Sequence, residues 1–293
     1  MNRTQVQTLL VVVACVLLAL PRPAAGQRLL DEWRVRTTAG PEALARGAAA
    51  VFLNPAQVVV AGRGEVLVGD LRAPGLTGVD GLTAAVAVIL DGRTTLGVGY
   101  EHMGVDGLEG TTVSPNPEAS LDIGENRFAI AASHAMGPRA RLGALVQYTR
   151  LPVPSREPSS IALGAGLEFQ PLPRLPLVLA ASGSIDGDDV AWLAGVELAS
   201  GARWTDWQVR GQYGLAGSEL EPGTTHRVTA SGEWRGHVEL VLGAAIEPDG
   251  AARTVQPVGG VELRLHRYRL GVVREQLAND FGSAWSFRFA VGF

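Results

Sequence analysis

Phe281-Gly282-Ser283-Ala284-Trp285-Ser286-Phe287-Arg288-Phe289-Ala290-Val291-Gly292-Phe293 is the stretch that decides the fold. Phe281, Trp285, Phe287, Phe289, Val291 and Phe293 share one parity and are apolar, with Ser283 the one break. The intervening residues are small or polar. A strand sends successive side chains to opposite faces. This stretch is therefore a strand with one aromatic face.

From Leu82 onward the same alternation recurs, with turn signals between segments. Phe128, Ile130 and Ala132 oppose Arg127, Ala129 and Ser133. Ile161, Leu163, Ala165, Leu167 and Phe169 oppose Ser160, Gly164, Gly166 and Glu168. Val238, Leu240, Leu242, Ala244 and Ile246 oppose Glu239 and Gly243. Weaker segments near 65–71, 82–90, 177–185 and 225–234 bring the expected total to about fourteen strands, an even number as bacterial barrels require.

Composition narrows the class. Hydrophobic residues make up 46% of the chain and mean hydropathy is +0.16, which excludes a disordered polymer. The net charge of −4 gives no basis for nucleic-acid binding. At the N-terminus, Arg3, the apolar stretch 9–20 and Ala24-Ala25-Gly26 have the form of a signal peptide over residues 1–26. A competing reading is lipidation at Cys15, although that residue lies inside the apolar stretch. With Cys15 removed, the mature chain has no thiol chemistry to offer.

Alternation alone also fits a soluble β-sandwich. Two further patterns favour an all-β, antiparallel transmembrane β-barrel in the bacterial outer membrane. Alternate connections are tight, as at Asp91-Gly92, Gly137-Pro138, Ser200-Gly201, Arg235-Gly236 and His266-Arg267, with the proline-rich stretch 170–176 the exception, and the others are longer, apart from the tight Asp186-Gly187. Aromatics also sort into two bands. Phe169, Trp207, Trp234, Tyr268 and Phe293 fall near the periplasmic strand ends, and Tyr100, Phe128, Tyr148, Trp192, Tyr213 and Trp285 near the outer ends. The aromatic end at Phe293 resembles the assembly signal of such barrels, which implies the barrel assembly machinery and outer-membrane lipid as partners.

Residues 27–57 lack the two-residue period and are expected to form a short plug or periplasmic segment ahead of a barrel over 58–293. Within them, the small residues from Gly47 to Ala50 are followed by Asn54-Pro55-Ala56. This resembles the start of the outer-membrane long-chain fatty-acid transporter (FadL-like) superfamily and its PorV/PorQ relatives of type IX secretion. Gln57 departs from the family, where glycine is common. The resemblance implies a fourteen-stranded barrel with an N-terminal plug. It implies passage of small hydrophobic molecules across the outer membrane, or alternatively a closed barrel that docks a secretion or surface-attachment partner. An ordinary Asn-Pro turn is the plain reading of the same residues.

No catalytic constellation is legible. The five histidines are scattered and lack metal spacing, so no metal, cofactor or enzymatic activity is expected. Ser133 and His134 point to opposite strand faces and cannot pair with each other. The lumen-lining candidates are Glu101, Arg127, Arg141, Glu168, Arg210, Arg227, Glu239, Arg264 and Arg288. Their mixed signs predict internal pairing or a weakly selective path. Leu163, Val196 and Leu242 are expected to face lipid. Gly164 and Gly195 are expected to accept a large residue where the lumen has space.

Overall fold

A computed structural model describes residues 38–73, 79–109, 120–151, 159–172, 176–187, 189–200, 206–219, 223–249, 252–276 and 282–293. The expected leader over 1–26, and the first part of the 27–57 segment, lie outside the described residues. Fourteen strands run in chain order: β1 (Gly64–Arg72), β2 (Val79–Ile89), β3 (Thr94–Glu109), β4 (Ser120–Ala135), β5 (Ala140–Arg150), β6 (Ser159–Phe169), β7 (Leu177–Asp186), β8 (Asp189–Ala199), β9 (Trp207–Ser218), β10 (Thr225–Trp234), β11 (Val238–Asp249), β12 (Ala252–Leu265), β13 (Tyr268–Gln276) and β14 (Ser283–Gly292). Each pairs antiparallel with its sequence neighbours, and β1 pairs with β14 to close the barrel.

Closure is what the membrane demands. A lipid-exposed sheet edge would leave a row of unsatisfied backbone groups, and the β1–β14 ladder removes it. Its register sets Glu65 opposite Gly292 and Arg72 opposite Trp285. The eleven residues of β5 span roughly 28 Å at about 3.3 Å per residue and a tilt near 40°, enough for a bilayer core.

The two faces differ as the alternation requires. The outward residues Phe128, Ile130, Leu167, Leu242, Phe287 and Phe289 are exposed, while Ala129, Ala131, Ala162, Ala245 and Ala290 on the other face are buried. Leu163, Val196 and Leu242 share the outward parity, and Leu242 is 71% exposed. Trp207 and Trp234 stand in register at one end of the barrel. Near the other end, Tyr100, Phe128 and Tyr148 line up across β3–β5, with ring centroids 4.9 and 6.5 Å apart. An apolar exterior between two aromatic bands is that of an outer-membrane barrel.

Connection lengths follow the expected asymmetry only in part. Tight turns join β2–β3, β4–β5, β10–β11 and β12–β13 at the end where β1 begins and β14 finishes. At that same end, however, β8–β9 runs over 200–206 instead of turning at Ser200-Gly201. At the opposite end, residues 187–188 and 250–251 are as short as the tight turns. Strands also reach into stretches expected to be loop, with β3 extending to Glu109 and β4 starting at Ser120. A strand that continues beyond the bilayer needs no apolar face, so its alternation fades while its ladder persists.

Candidate functional site: a plugged lumen

Three 3-10 turns, Glu42–Leu44, Gly47–Phe52 and Pro55–Gln57, lie inside the barrel. The first packs on β7–β9, the second on β1–β5 and the third on β4–β6. Ala48, Ala50, Val51 and Val58 are fully buried. With Leu67, Ala85, Ala87, Ala129, Ala131 and Leu145 of the wall they form one apolar cluster, and Phe52 packs against it. Small side chains on both surfaces let the segment and the wall approach closely.

Asn54, Pro55 and Ala56 form the hub of this segment. Asn54 is fully buried. Its Oδ1 accepts from the Ala56 N–H at 3.1 Å, capping the turn that Pro55 opens. Its Nδ2 donates to the Ala43 carbonyl at 2.9 Å, tying the first and third turns together. The wall holds the backbone too: Ser133 Oγ donates to the Ala56 carbonyl and Ser182 Oγ to the Leu53 carbonyl, each at 3.0 Å. Ser133, a tempting nucleophile in the sequence, is thus a buried donor to the segment's backbone.

Glycine makes this seat possible. Gly143 and Gly166 are register partners on β5 and β6. A Cβ on Gly143 would lie 2.2 Å from the Ala56 nitrogen, and one on Gly166 would lie 2.2 Å from Asn54 Oδ1. Only a residue without a side chain fits at either place. The same closeness corrects the expectation at Gly195, where a Cβ would meet Leu44 at 2.9 Å. The lumen has no room there because the first turn occupies it.

The charged candidates all lie on the inner face, and most of them fall in one buried cluster, one separate pair and one larger network. In the cluster, Glu101 sits opposite Arg127 in register and pairs with it at 3.6 Å, and Arg127 also pairs with Glu125. All three are buried. Arg227 pairs with Glu275 across the lumen-facing surface. The larger network lies near the β1-start end. Arg210 contacts Glu233 at 2.6 Å and Glu239 at 3.2 Å. Arg264 reaches Glu233 and Glu239 at 2.6 Å and Glu262 at 2.7 Å. Arg288 pairs with Glu262. Arg141 and Glu168 stand opposite each other in register, but no ion pair joins them.

Two residues, Glu65 and Arg46, were missed. Glu65 accepts from the Ala48 N–H at 3.0 Å and pairs with Arg269, linking the segment to the wall. Arg46 reaches Glu197 at 3.4 Å, and Glu197 in turn accepts from Gln212 at 2.7 Å. The parity of β1 marks Glu65 as inward-facing. Nothing in the sequence marks Arg46.

The segment fills the β1–β9 side and leaves a cavity of about 790 Å³ against β8–β14, reaching Gly62, His266 and Phe293 at the β1-start end. Its lining combines the charged network with Ala39, Leu44, Ala49, Val241 and Val273. On the lipid side of the same wall lies an apolar groove of about 510 Å³. There Gly211 and Ala230 are small among Leu198, Tyr213, Val228 and Leu242. Gln212 lines both spaces. It also accepts from Thr229 Oγ1 at 3.1 Å.

No protein-family model matches the chain, and no curated protein does. Solved structures do match. The Pseudomonas putida toluene transporter TodX aligns at 12% identity over 84% of this chain and 94% of its own, with a TM-score of 0.53. The Ralstonia pickettii toluene transporter TbuX aligns at 12% identity, with 86% and 96% coverage and a TM-score of 0.51. A Pseudomonas aeruginosa FadL homologue gives the same identity, coverages and TM-score. The fold is FadL-like. At this identity the likeness is one of fold, and it is the architecture that the resemblance at Asn54-Pro55-Ala56 implied. Among the described residues, no group of histidine, cysteine and carboxylate side chains could hold a metal ion.

Proposed function

We propose that this FadL-like barrel passes small hydrophobic molecules across the outer membrane, with residues 38–57 acting as a plug. The observation that carries the proposal is the position of Gln212, which lines both the internal cavity and the apolar groove on the lipid face. Only the strand wall, its ladder unbroken at Gly211, Gln212 and Tyr213, separates a lumenal space from a hydrocarbon-facing one. The cavity is of a size that holds small ligands. Its mixed lining suits a compact molecule with an apolar body, sliding along Ala39, Leu44 and Ala49. The toluene transporters among the structural neighbours support this substrate class.

The docking alternative has an observation in its favour. Each strand pairs with both neighbours around the closed barrel, with a register shift in β3–β4 between Val105 and Leu108, and the segment fills much of the lumen. Uptake separates the two readings. Cells expressing the full chain should accumulate a labelled monoaromatic hydrocarbon several-fold faster than cells carrying an empty vector. Equal rates, with the barrel verified in the outer membrane by its heat-modifiable gel mobility, would leave the docking reading standing.

A further inference from the structure

One rim of the barrel carries a set of exposed arginines that passage through the lumen does not require. The tight turns between β2–β3, β4–β5, β10–β11 and β12–β13 each hold an arginine: Arg93, Arg139, Arg235 and Arg267. All four are exposed.

Two of the arginines are placed on the lipid side of the rim. The Arg235 guanidinium lies 5.1 Å from the Trp234 ring centroid, and that of Arg267 lies 5.2 Å from Tyr268. Both rings are outward-facing. Arg235 has one carboxylate neighbour, Asp206 at 2.9 Å, on a side chain that stays 58% exposed. Arg93 and Arg139 have no ion pair among the described residues. The one acid in the β2–β3 turn, Asp91, is engaged by the backbone N–H groups of Arg93 and Thr94.

We infer that this arginine rim binds the phosphates of anionic phospholipids in the leaflet that faces the β1-start end. Guanidinium groups donate in a fork that matches phosphate oxygens. An aromatic ring beneath each of two guanidinia holds it at headgroup depth. Each guanidinium that reaches a phosphate favours an anionic over a zwitterionic lipid by about fivefold at low salt.

Tryptophan quenching tests this directly, because Trp207 and Trp234 lie at this rim. The full-length protein is inserted into vesicles containing brominated phosphatidylglycerol or brominated phosphatidylcholine. Stronger quenching by the anionic lipid is expected, with the preference collapsing at high salt. The quadruple variant R93Q/R139Q/R235Q/R267Q should lose it, whereas R72Q at the other rim, where Arg72 pairs with Asp70, should keep it. If the quadruple variant fails to insert, R93Q/R139Q, whose side chains hold no ion-pair partner among the described residues, should still reduce it. Equal quenching of the wild type by both lipids overturns the inference, and is the result expected if the rim instead meets an acidic periplasmic protein. A preference that survives the arginine substitutions also overturns it.

Discussion

Replacing Asn54 by alanine should unseat the plug while leaving the barrel intact. The side chain is fully buried and makes two hydrogen bonds, to the Ala43 carbonyl and the Ala56 N–H. Truncation orphans both groups, and neither finds water in a packed lumen. A buried polar group left without a partner costs about 1–3 kcal/mol, so the pair costs about 2–4 kcal/mol after some relaxation of the segment. The unseated population should therefore rise about 30-fold to 700-fold. The strand ladders do not involve Asn54, so heat-modifiable gel mobility should stay that of the wild type. Amide hydrogen exchange over residues 43–57 reads the population directly, and planar-bilayer recordings should show more frequent open events. Arg46→Gln is the control, because its 3.4 Å pair with Glu197 involves a half-exposed side chain and is worth about 1 kcal/mol at most. Exchange in the Asn54→Ala protein within threefold of the wild type would refute the view that this side chain latches the plug.

Other outcomes follow from the same geometry. Gly143→Ala should displace the Pro55–Ala56 backbone, since the new Cβ has no space, and should raise bilayer conductance; an unchanged conductance would show that the wall yields instead. Leu242→Arg should cost about 2–4 kcal/mol in folding into vesicles if it lies near the midplane, as its lipid-facing position implies. Asp91 caps its turn by accepting from Arg93 N–H, Thr94 N–H and the Thr94 hydroxyl, which hold its carboxyl below the ordinary range. A depressed carboxylate stabilises the fold above its unfolded pKa, and that contribution fades as pH falls through the folded value. The protection factor of the Thr94 amide, the rate corrected for the intrinsic pH dependence of exchange, should fall only in strongly acidic buffer, and Asp91→Ala should abolish that fall.

The barrel was legible because alternation is local: a single strand states which of its faces meets lipid. Phe128 and Arg127 disclose their sides without knowledge of any neighbour, and repetition gives the strand count. Connection lengths were less legible, because β3 and β4 continue as a ladder where alternation has stopped. The lumen was legible one side chain at a time. Parity places Glu239 and Arg264 inside, and their 2.6 Å contact follows from adjacent strands. The same logic puts Arg141 opposite Glu168, yet those two make no ion pair, because register fixes backbones and not long side chains. The plug seat was the least legible feature. Asn54-Pro55-Ala56 announces a turn, but what makes that turn a plug is Gly143 beside Gly166, two residues that in sequence are merely the small members of alternating strands. Their meaning appears only when the β5–β6 register aligns them and the much earlier segment around Asn54 is laid across them. Inward glycine in a barrel strand thus has two readings, spare room or occupied room, and only the partner's position separates them.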